Sequence, residues 1–329
     1  MNNKELSERK IIAWGKSKLL EFYVKDNPNH RISYVIDSNT ATHGMKFNGL
    51  TIKSPQSLRE EEGEVTVVIF AVSTTAVQSI LIDLNNMGLR LGRDVLLYAD
   101  LFYDKFAEKV KKTLGRDIDP SHYQFVKSFS LNTLIPVHTT LLGNILFLTL
   151  LEEMLKNKNE KLALAEVGAF NGGNVILSSQ FMALNAERRF HVFDSFDGFP
   201  ELSKYDPKDQ KAGNYTIQTS LERILDNLSM FPFVHVHKGF VPATFSELDK
   251  QEQYGLVFYD CDLYEPALAT FEYFWDRLVP GGFMLIHDYI AEEGGFHGVK
   301  KASDEFFLSK HVPIHEFWEN TMGLVIKPS

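Results

Sequence analysis

Two short words in the C-terminal half hold most of the chain's chemistry. Tyr259-Asp260-Cys261-Asp262-Leu263 and Ile286-His287-Asp288-Tyr289 each close an apolar run. Short apolar runs bounded by turn residues read as buried strands, so these acids stand at two carboxyl strand ends. Asp260, His287 and Asp288 together suit one divalent cation. Carboxylate oxygens favour Mg²⁺, Mn²⁺ or Ca²⁺, and an imidazole nitrogen tilts the choice towards Mn²⁺, Fe²⁺ or Zn²⁺. Capping and surface acids are the plainer account of such residues. Four ionisable groups at two neighbouring strand ends weigh against it.

Further upstream, Ala165-Glu166-Val167-Gly168-Ala169-Phe170-Asn171-Gly172-Gly173-Asn174 runs from an apolar strand through an acid into a glycine-rich turn and a helix. Glycines let the backbone turn tightly against a ligand, and the helix start at Gly172 and Gly173 offers free N–H groups. In a dinucleotide-binding fold that ligand is pyrophosphate. Glu166 inside the site would repel phosphate, and would instead hold the cationic methionine end of S-adenosylmethionine. A tight turn with no ligand has the same pattern. The next word, Phe193-Asp194-Ser195-Phe196-Asp197-Gly198, places Asp194 at the end of the following strand, where nucleotide-binding sheets hold ribose hydroxyls.

Two lesser features read as structure. Cys261 lies between two acids, which raise a thiol's pKa, and is taken as a buried small residue. His235 and His237 share one face of a strand by their period of two.

These groups need a sheet to position them. Strands are expected at Leu162 to Val167, Phe190 to Phe193, Val234 to His237, Gly255 to Tyr259 and Gly282 to His287. Ile314 to Trp318 and Met322 to Ile326 are too close for an intervening helix and should pair antiparallel. The polar stretch Pro200 to Tyr215 lies near the sheet's carboxyl edge. It reads as a substrate lid, with a disordered insertion as the alternative. The first hundred residues alternate likewise, with strands at Ile11 to Trp14, Ile32 to Ile36, Val65 to Val72 and Val95 to Tyr98. Helices are expected near Ser17, after Ser54-Pro55, and over Thr75 to Met87. Phe102 to Leu114 and Thr139 to Lys156 have helical periodicity. The expected division is a small Rossmann-like α/β domain over 1–104, a helical connector or cap over 105–160, and a catalytic α/β domain over 161–329.

Composition narrows the partners. The 329 residues carry 34 basic and 43 acidic side chains, a net charge of -9, whereas chains that neutralise phosphates usually carry a basic excess. Nucleic acid is not an expected partner. The run Leu141 to Leu151 is about half the ~20 residues that span a bilayer, so a membrane is not expected either. No signal-peptide pattern opens the chain. One cysteine forms no internal disulfide and fits a reducing, cytoplasmic compartment. A homo-oligomer is compatible with all of this.

At these motifs the sequence resembles the macrocin O-methyltransferase family of class I methyltransferases. The matching words are EVGAFNGGN (166–174), DSFDGFP (194–200), KGF (238–240), DCDLYEP (260–266), VPGGFMLIHDY (279–289) and GVKKASDEF (298–306), in order across about residues 125–329. The resemblance implies a class I methyltransferase sheet with an antiparallel last strand. It implies S-adenosyl-L-methionine held by Glu166, Gly168, Phe170, Asn171, Gly172, Asp194, Ser195, Phe196, Gly239, Phe240 and Asp260. It also implies a divalent metal, Mg²⁺ or Mn²⁺, on Asp260 and Asp288, with Asp262 as the base. The family usually has two aspartates where this chain has His287-Asp288, so metal identity is open and His287 is a second candidate base. The expected activity is O-methylation of a sugar or glycoside hydroxyl in natural-product or polysaccharide biosynthesis. The rivals are a methyltransferase-like scaffold and a nucleotide-dependent sugar-modifying oxidoreductase. The N-terminal domain resembles small nucleotide-binding-like domains of sugar-modifying enzymes. Its turn at Trp14-Gly15-Lys16-Ser17, with Asp37 beyond, keeps one glycine of three, which favours a structural or dimerising role.

Overall fold

A computed structural model of the chain describes residues 9–157, 161–217, 219–290, 296–317 and 321–329. The backbone divides into two units. One comprises Met1–Asp117, Ser130–Leu134 and His138–Leu142; the other comprises Ile118–Phe129, Ile135–Val137 and Gly143–Ser329.

The first unit is built on β1 (Lys10–Trp14), β2 (Ile32–Ile36), β3 (Lys46–Phe47), β4 (Leu50–Lys53), β5 (Val65–Ile69) and β6 (Val95–Leu97). Their order is β3-β4-β2-β1-β5-β6. All pairings are parallel except β3 with β4. Helix α1 (Lys18–Asp26) is capped by Ser17, whose Oγ accepts from Leu20 N. Helix α2 (Thr74–Asn86) is capped by Ser73, and α3 (Tyr98–Leu114) ends at left-handed Gly115. The helix expected after Ser54-Pro55 is instead a single 3₁₀ stretch, Pro55–Glu60, with no side-chain cap bond from Ser54. The β3–β4 hairpin has too few residues to show a period.

Helices α4 (Pro120–Asn132) and α5 (Leu141–Lys156) follow. Helix α4 lies between Leu114 and Thr139, where the sequence marked no helix. Every residue of α5 from Leu141 to Leu151 is buried. Among the described residues no helix is long and apolar enough to cross a membrane.

The second unit's sheet takes β7 (Ala163–Val167), β8 (Phe190–Asp194), β9 (Val234–Lys238), β10 (Tyr254–Tyr259), β11 (Leu278–Ile286), β12 (His315–Phe317) and β13 (Met322–Ile326). Their order is β12-β13-β11-β10-β7-β8-β9, with β13 antiparallel to both of its neighbours. This is the class I methyltransferase sheet with its antiparallel last strand. Trp318, at the end of the expected late hairpin, lies outside the described residues. The helices are α6 (Gly173–Asn185), α7 (Leu221–Leu228), α8 (Tyr264–Trp275) and α9 (His297–Ser303). Strands β7 and β10 are buried at every residue, as strands covered on both faces must be. Phe271, Phe274 and Trp275 of α8 pack with Tyr254, Tyr259 and Met284 in one apolar cluster.

Register places the site. Val167 pairs with Phe193 and with Tyr259, and Tyr259 pairs with Ile286. The residues next after these pairs, Gly168, Asp194, Asp260 and His287, therefore stand at one level across four strands. The sheet order reverses between β7 and β10, where open α/β sheets bind ligands beyond their carboxyl ends.

Candidate functional site

A cleft opens at that level. It is lined by Gly168 and Phe170 after β7, Asp194, Ser195 and Gly198 after β8, Gly239 to Val241 after β9, and Asp260 to Leu263 after β10. Phe199, Pro200, Tyr215 and Pro266 complete its outer wall.

The glycine turn is built by close approach. Gly168 has φ +101°, and a Cβ there would lie 2.1 Å from the Asp260 carbonyl oxygen. Gly172 caps α6 at φ +78°. Asp194 holds the turn: Ala169 N and Phe170 N both donate to its Oδ2 at 2.8 Å, and Phe196 N donates to Oδ1 at 2.6 Å. Burial nonetheless keeps its pKa raised against those three donors. With two lone pairs per carboxyl oxygen, Oδ1 keeps one free for a ligand hydroxyl. Asp194 thus shapes the turn and also faces the cleft.

Other expected ligand contacts fall differently. Glu166 was expected to face a cationic ligand, but it is 1% exposed and lies outside the cleft wall. Its Oε2 accepts from Asn174 Nδ2 at 3.1 Å. Burial, together with Asp260 and Asp194, pushes its pKa well up. The pleat explains the difference: Glu166 precedes the last residue of β7, and its side chain turns under the helix rather than over the strand end. Asn171 is likewise buried, and Phe196 is 2% exposed beneath the turn. Ser195 and Gly239 line the cleft, as does Phe240, which is 45% exposed. Cys261 is half-buried and part of the wall rather than core. Burial, then the surrounding carboxylates, push its thiol pKa well up.

The acids converge, but in the trio that meets, Asp262, the expected base, stands in place of the expected ligand Asp288. One ligand atom each from Asp260, Asp262 and His287 lie within 4.8 Å of one another. His287 Nδ1 is 2.7 Å from Asp260 Oδ1 and 3.7 Å from Asp288 Oδ2. Burial alone would lower the His287 pKa, but Asp260 and Asp288 raise it to about 10. The Asp262 pKa is pushed well up, by burial first and then by Asp288 and Asp260. Asp262 and Asp288 both sit in left-handed backbone, at φ 65° and 53°, a conformation that costs a side-chain-bearing residue free energy. Beneath them, the Tyr259 hydroxyl donates to Leu263 O at 2.6 Å and pins the loop.

Sequence reasoning missed two contributors to the wall. Tyr215 ends the polar stretch, and Asp206 anchors it: Ser203 N and Tyr264 N each donate to the Asp206 carboxylate at 2.8 Å. Phe199 N donates to Asn214 O, and Gly213 N to Phe199 O, closing the segment into a pinned loop. Its polarity was visible, whereas a contact between Asp206 and a helix so far along the chain leaves no local signal.

In the first unit, Asp37 spends its carboxylate locally, accepting from Asn39 N at 2.8 Å and Lys16 N at 3.4 Å. Histidines 235 and 237 share a face of β9 as expected, both stacking on His191 of β8.

The sequence model of the macrocin-O-methyltransferase (TylF) family matches residues 140–315. The chain is 29% identical over 136 residues to the 8-demethyl-8-(2,3-dimethoxy-alpha-L-rhamnosyl)-tetracenomycin-C 4'-O-methyltransferase of Streptomyces olivaceus, covering 38% of this chain and 52% of that protein. To the mycinamicin III 3''-O-methyltransferase of Micromonospora griseorubida it is 27% identical over 136 residues, covering 38% and 54%. The chain thus spans about half the length of the curated relatives it matches. Among solved structures, the calicheamicin methyltransferase CalS11 aligns at TM-score 0.46 and 19% identity, over 64% of this chain and 96% of that one. The O-methyltransferase NovP gives the same TM-score and identity over 70% and 100%. The family's match spans more than half the chain, from α5 to the start of β12, and so takes in the sheet's strand ends and their acids; the chain belongs to the macrocin-O-methyltransferase family.

Proposed function

We propose that the chain is an S-adenosylmethionine-dependent O-methyltransferase that acts on a sugar or glycoside hydroxyl, with assistance from a divalent metal. The observation that carries this reading is the meeting of Asp260, Asp262 and His287 beside an acid-lined cleft at the sheet's reversal point. Family membership supports it, and both curated relatives are named as O-methyltransferases, one of them for a rhamnosyl-bearing compound.

The cleft fits a cationic sulfonium ligand. It carries acids, a turn where a Cβ at Gly168 would collide, and an unused lone pair on Asp194 for a ribose hydroxyl. S-adenosylmethionine supplies an electrophilic methyl group, so the protein must supply alignment and a proton acceptor. The C–S bond breaks as the O–C bond forms, leaving neutral S-adenosylhomocysteine. Asp262, at the cleft wall, takes the acceptor's hydroxyl proton. Asp260, His287 and Asp288 would hold the metal, whose chemistry is to lower the pKa of a bound hydroxyl. Two carboxylates and one imidazole form a donor set that Mn²⁺ accepts more readily than Mg²⁺. His287 must lose its Nδ1 proton to join it.

The acid excess and lone cysteine support a cytoplasmic protein with neither nucleic acid nor membrane as partner. The self-satisfied turn at Asp37 supports a structural or dimerising role for the first unit.

The test uses S-adenosylhomocysteine calorimetry and Mn²⁺ paramagnetic resonance. Wild type should bind both. Asp262→Asn should keep both and lose ~10²–10⁴-fold in methyl transfer to an aryl rhamnoside, the usual cost of a general base. Asp260→Asn should weaken Mn²⁺. No binding of S-adenosylhomocysteine at millimolar concentration refutes the enzyme reading and favours the scaffold. Full activity after chelation refutes the metal and makes His287 the candidate base.

A further inference from the structure

Helix α9 reaches both strand ends that carry the acids. It continues past Ser303 as a π-helical turn, Asp304–Leu308, a rare conformation that recurs near functional sites. The two acids that open this turn point to different loops. Glu305 Oε2 accepts at 2.6 Å from the hydroxyl of Tyr264, two residues beyond Asp262. Asp304 Oδ1 accepts at 2.8 Å from the hydroxyl of Tyr289, the residue after Asp288.

The Tyr289 anchor is the more elaborate. Its side chain is 4% exposed, and its ring rests on β13 where Gly323 leaves room: a Cβ there would lie 2.7 Å from Tyr289 Cγ. Lys300 Nζ donates to the Tyr289 hydroxyl at 3.1 Å and to Asp304 Oδ2 at 3.0 Å, closing a three-membered network. Burial pushes the hydroxyl pKa up to about 12, so it stays protonated and able to donate. Ile290 N donates to Thr321 O at 3.2 Å just beyond. On the other side, His287 N donates to Tyr259 O at 2.9 Å. The His287–Asp288 segment is therefore pinned at both ends. A side-chain-bearing residue in left-handed backbone, as Asp288 is at φ 53°, persists only where its surroundings over-determine it.

We propose that Tyr289 is a positioning residue for the acid site: its hydroxyl, tied to Lys300 and Asp304, holds His287 and Asp288 in place opposite Asp260. It acts through the backbone and not by contact with the reacting atoms. This inference rests on the metal-assisted reading above.

The experiment measures Mn²⁺ affinity by paramagnetic resonance, with S-adenosylhomocysteine calorimetry and Tm on the same proteins. Tyr289→Phe keeps the ring on Gly323 and removes only the hydroxyl. Tyr254→Phe is the control, since it removes another buried tyrosine hydroxyl at the opposite end of β10. Tyr289→Phe should weaken Mn²⁺ about tenfold, the low end for groups that orient metal ligands, and keep S-adenosylhomocysteine affinity within about twofold. Tyr254→Phe should leave both affinities within about twofold of wild type, whatever it does to Tm. Asp304→Ala, at a side chain about a third exposed, should weaken Mn²⁺ several-fold alone but less than about twofold in the Tyr289→Phe background, where the hydroxyl it holds is gone. Wild-type Mn²⁺ affinity in Tyr289→Phe or in Asp304→Ala, or an equal loss in Tyr254→Phe, overturns the proposal. So does an Asp304→Ala effect of full size in the Tyr289→Phe background, which marks simple removal of charge. Wild type that binds no Mn²⁺ refutes the metal reading first and takes this inference with it.

Discussion

Asp206 should be worth more than any other polar side chain in the loop that walls the cleft. It is 7% exposed, and its two oxygens accept from Ser203 N and from Tyr264 N, the first residue of α8. Leu263, in the N-cap position, provides no side-chain acceptor. Asp206 therefore caps α8 from far along the chain and ties the loop to it. Two contacts reinforce the tie: Tyr205 and Tyr264 rings lie 4.6 Å apart, and Lys301 Nζ sits 4.6 Å from the Tyr205 ring. A hydrogen bond to a charged acceptor contributes about 1.5–3 kcal/mol, and a lost N-cap costs about 0.5–2 kcal/mol. Asp206→Ala strands two half-buried N–H groups, so about 2–4 kcal/mol of stability should go. In a domain of this size each kcal/mol moves Tm by about 2–4 °C, which gives a drop on the order of 10 °C. Asp206→Asn keeps one acceptor oxygen but turns an NH₂ towards a donor, and should lose about half as much. The assay is thermal unfolding, with limited proteolysis reporting cleavage within residues 200–217. An Asp206→Ala protein that melts within 2 °C of wild type and resists cleavage there would refute the clamp.

Two further outcomes follow from the same geometry. Gly168→Ala places a Cβ 2.1 Å from the Asp260 carbonyl at φ +101°, and strain plus overpacking should cost about 2–6 kcal/mol. Unfolding in urea measures it, and a wild-type midpoint would show that the two strand ends can part freely. The second concerns acid stability. Burial, with His237, His235 and Arg189 nearby, lowers the His191 pKa to about 3. The unfolded chain therefore takes up a proton near pH 6.5 that the folded chain refuses. Stability from this residue is full above that pH and falls as pH drops from about 6.5 towards 3, by up to about 1.4 kcal/mol per pH unit. Glu252, whose pKa burial raises, lies 2.8 Å from His191 Nε2 and contributes the opposite slope, so the quantity to measure is the difference between Glu252→Gln and the double variant His191→Leu/Glu252→Gln. Parallel acid limbs in urea titrations from pH 7 to 4 would count against the assignment.

Much of the site was legible because its residues sit at strand ends. Apolar runs ending in Val167, Phe193, Tyr259 and Ile286 announce strands by composition alone, and the residues that follow inherit a place at the sheet's carboxyl edge. Asp194, Asp260, Asp262, His287 and the turn at Gly168 could be named on that basis, since a parallel sheet aligns its ends by construction. The same logic read α5 as buried and β13 as antiparallel. Three things needed the tertiary structure. Which way Glu166 points depends on pleat and helix packing, and these bury it against Asn174 rather than in the cleft. Whether Pro200 to Tyr215 is ordered depends on Asp206 finding the N-terminus of α8, a pairing with no trace in local sequence. How closely His287 approaches Asp260 depends on the register of β10 against β11, and a shift of one residue would turn every side chain to the other face. Local propensity specifies the strands and turns; only packing between distant segments sets the distances on which the chemistry depends.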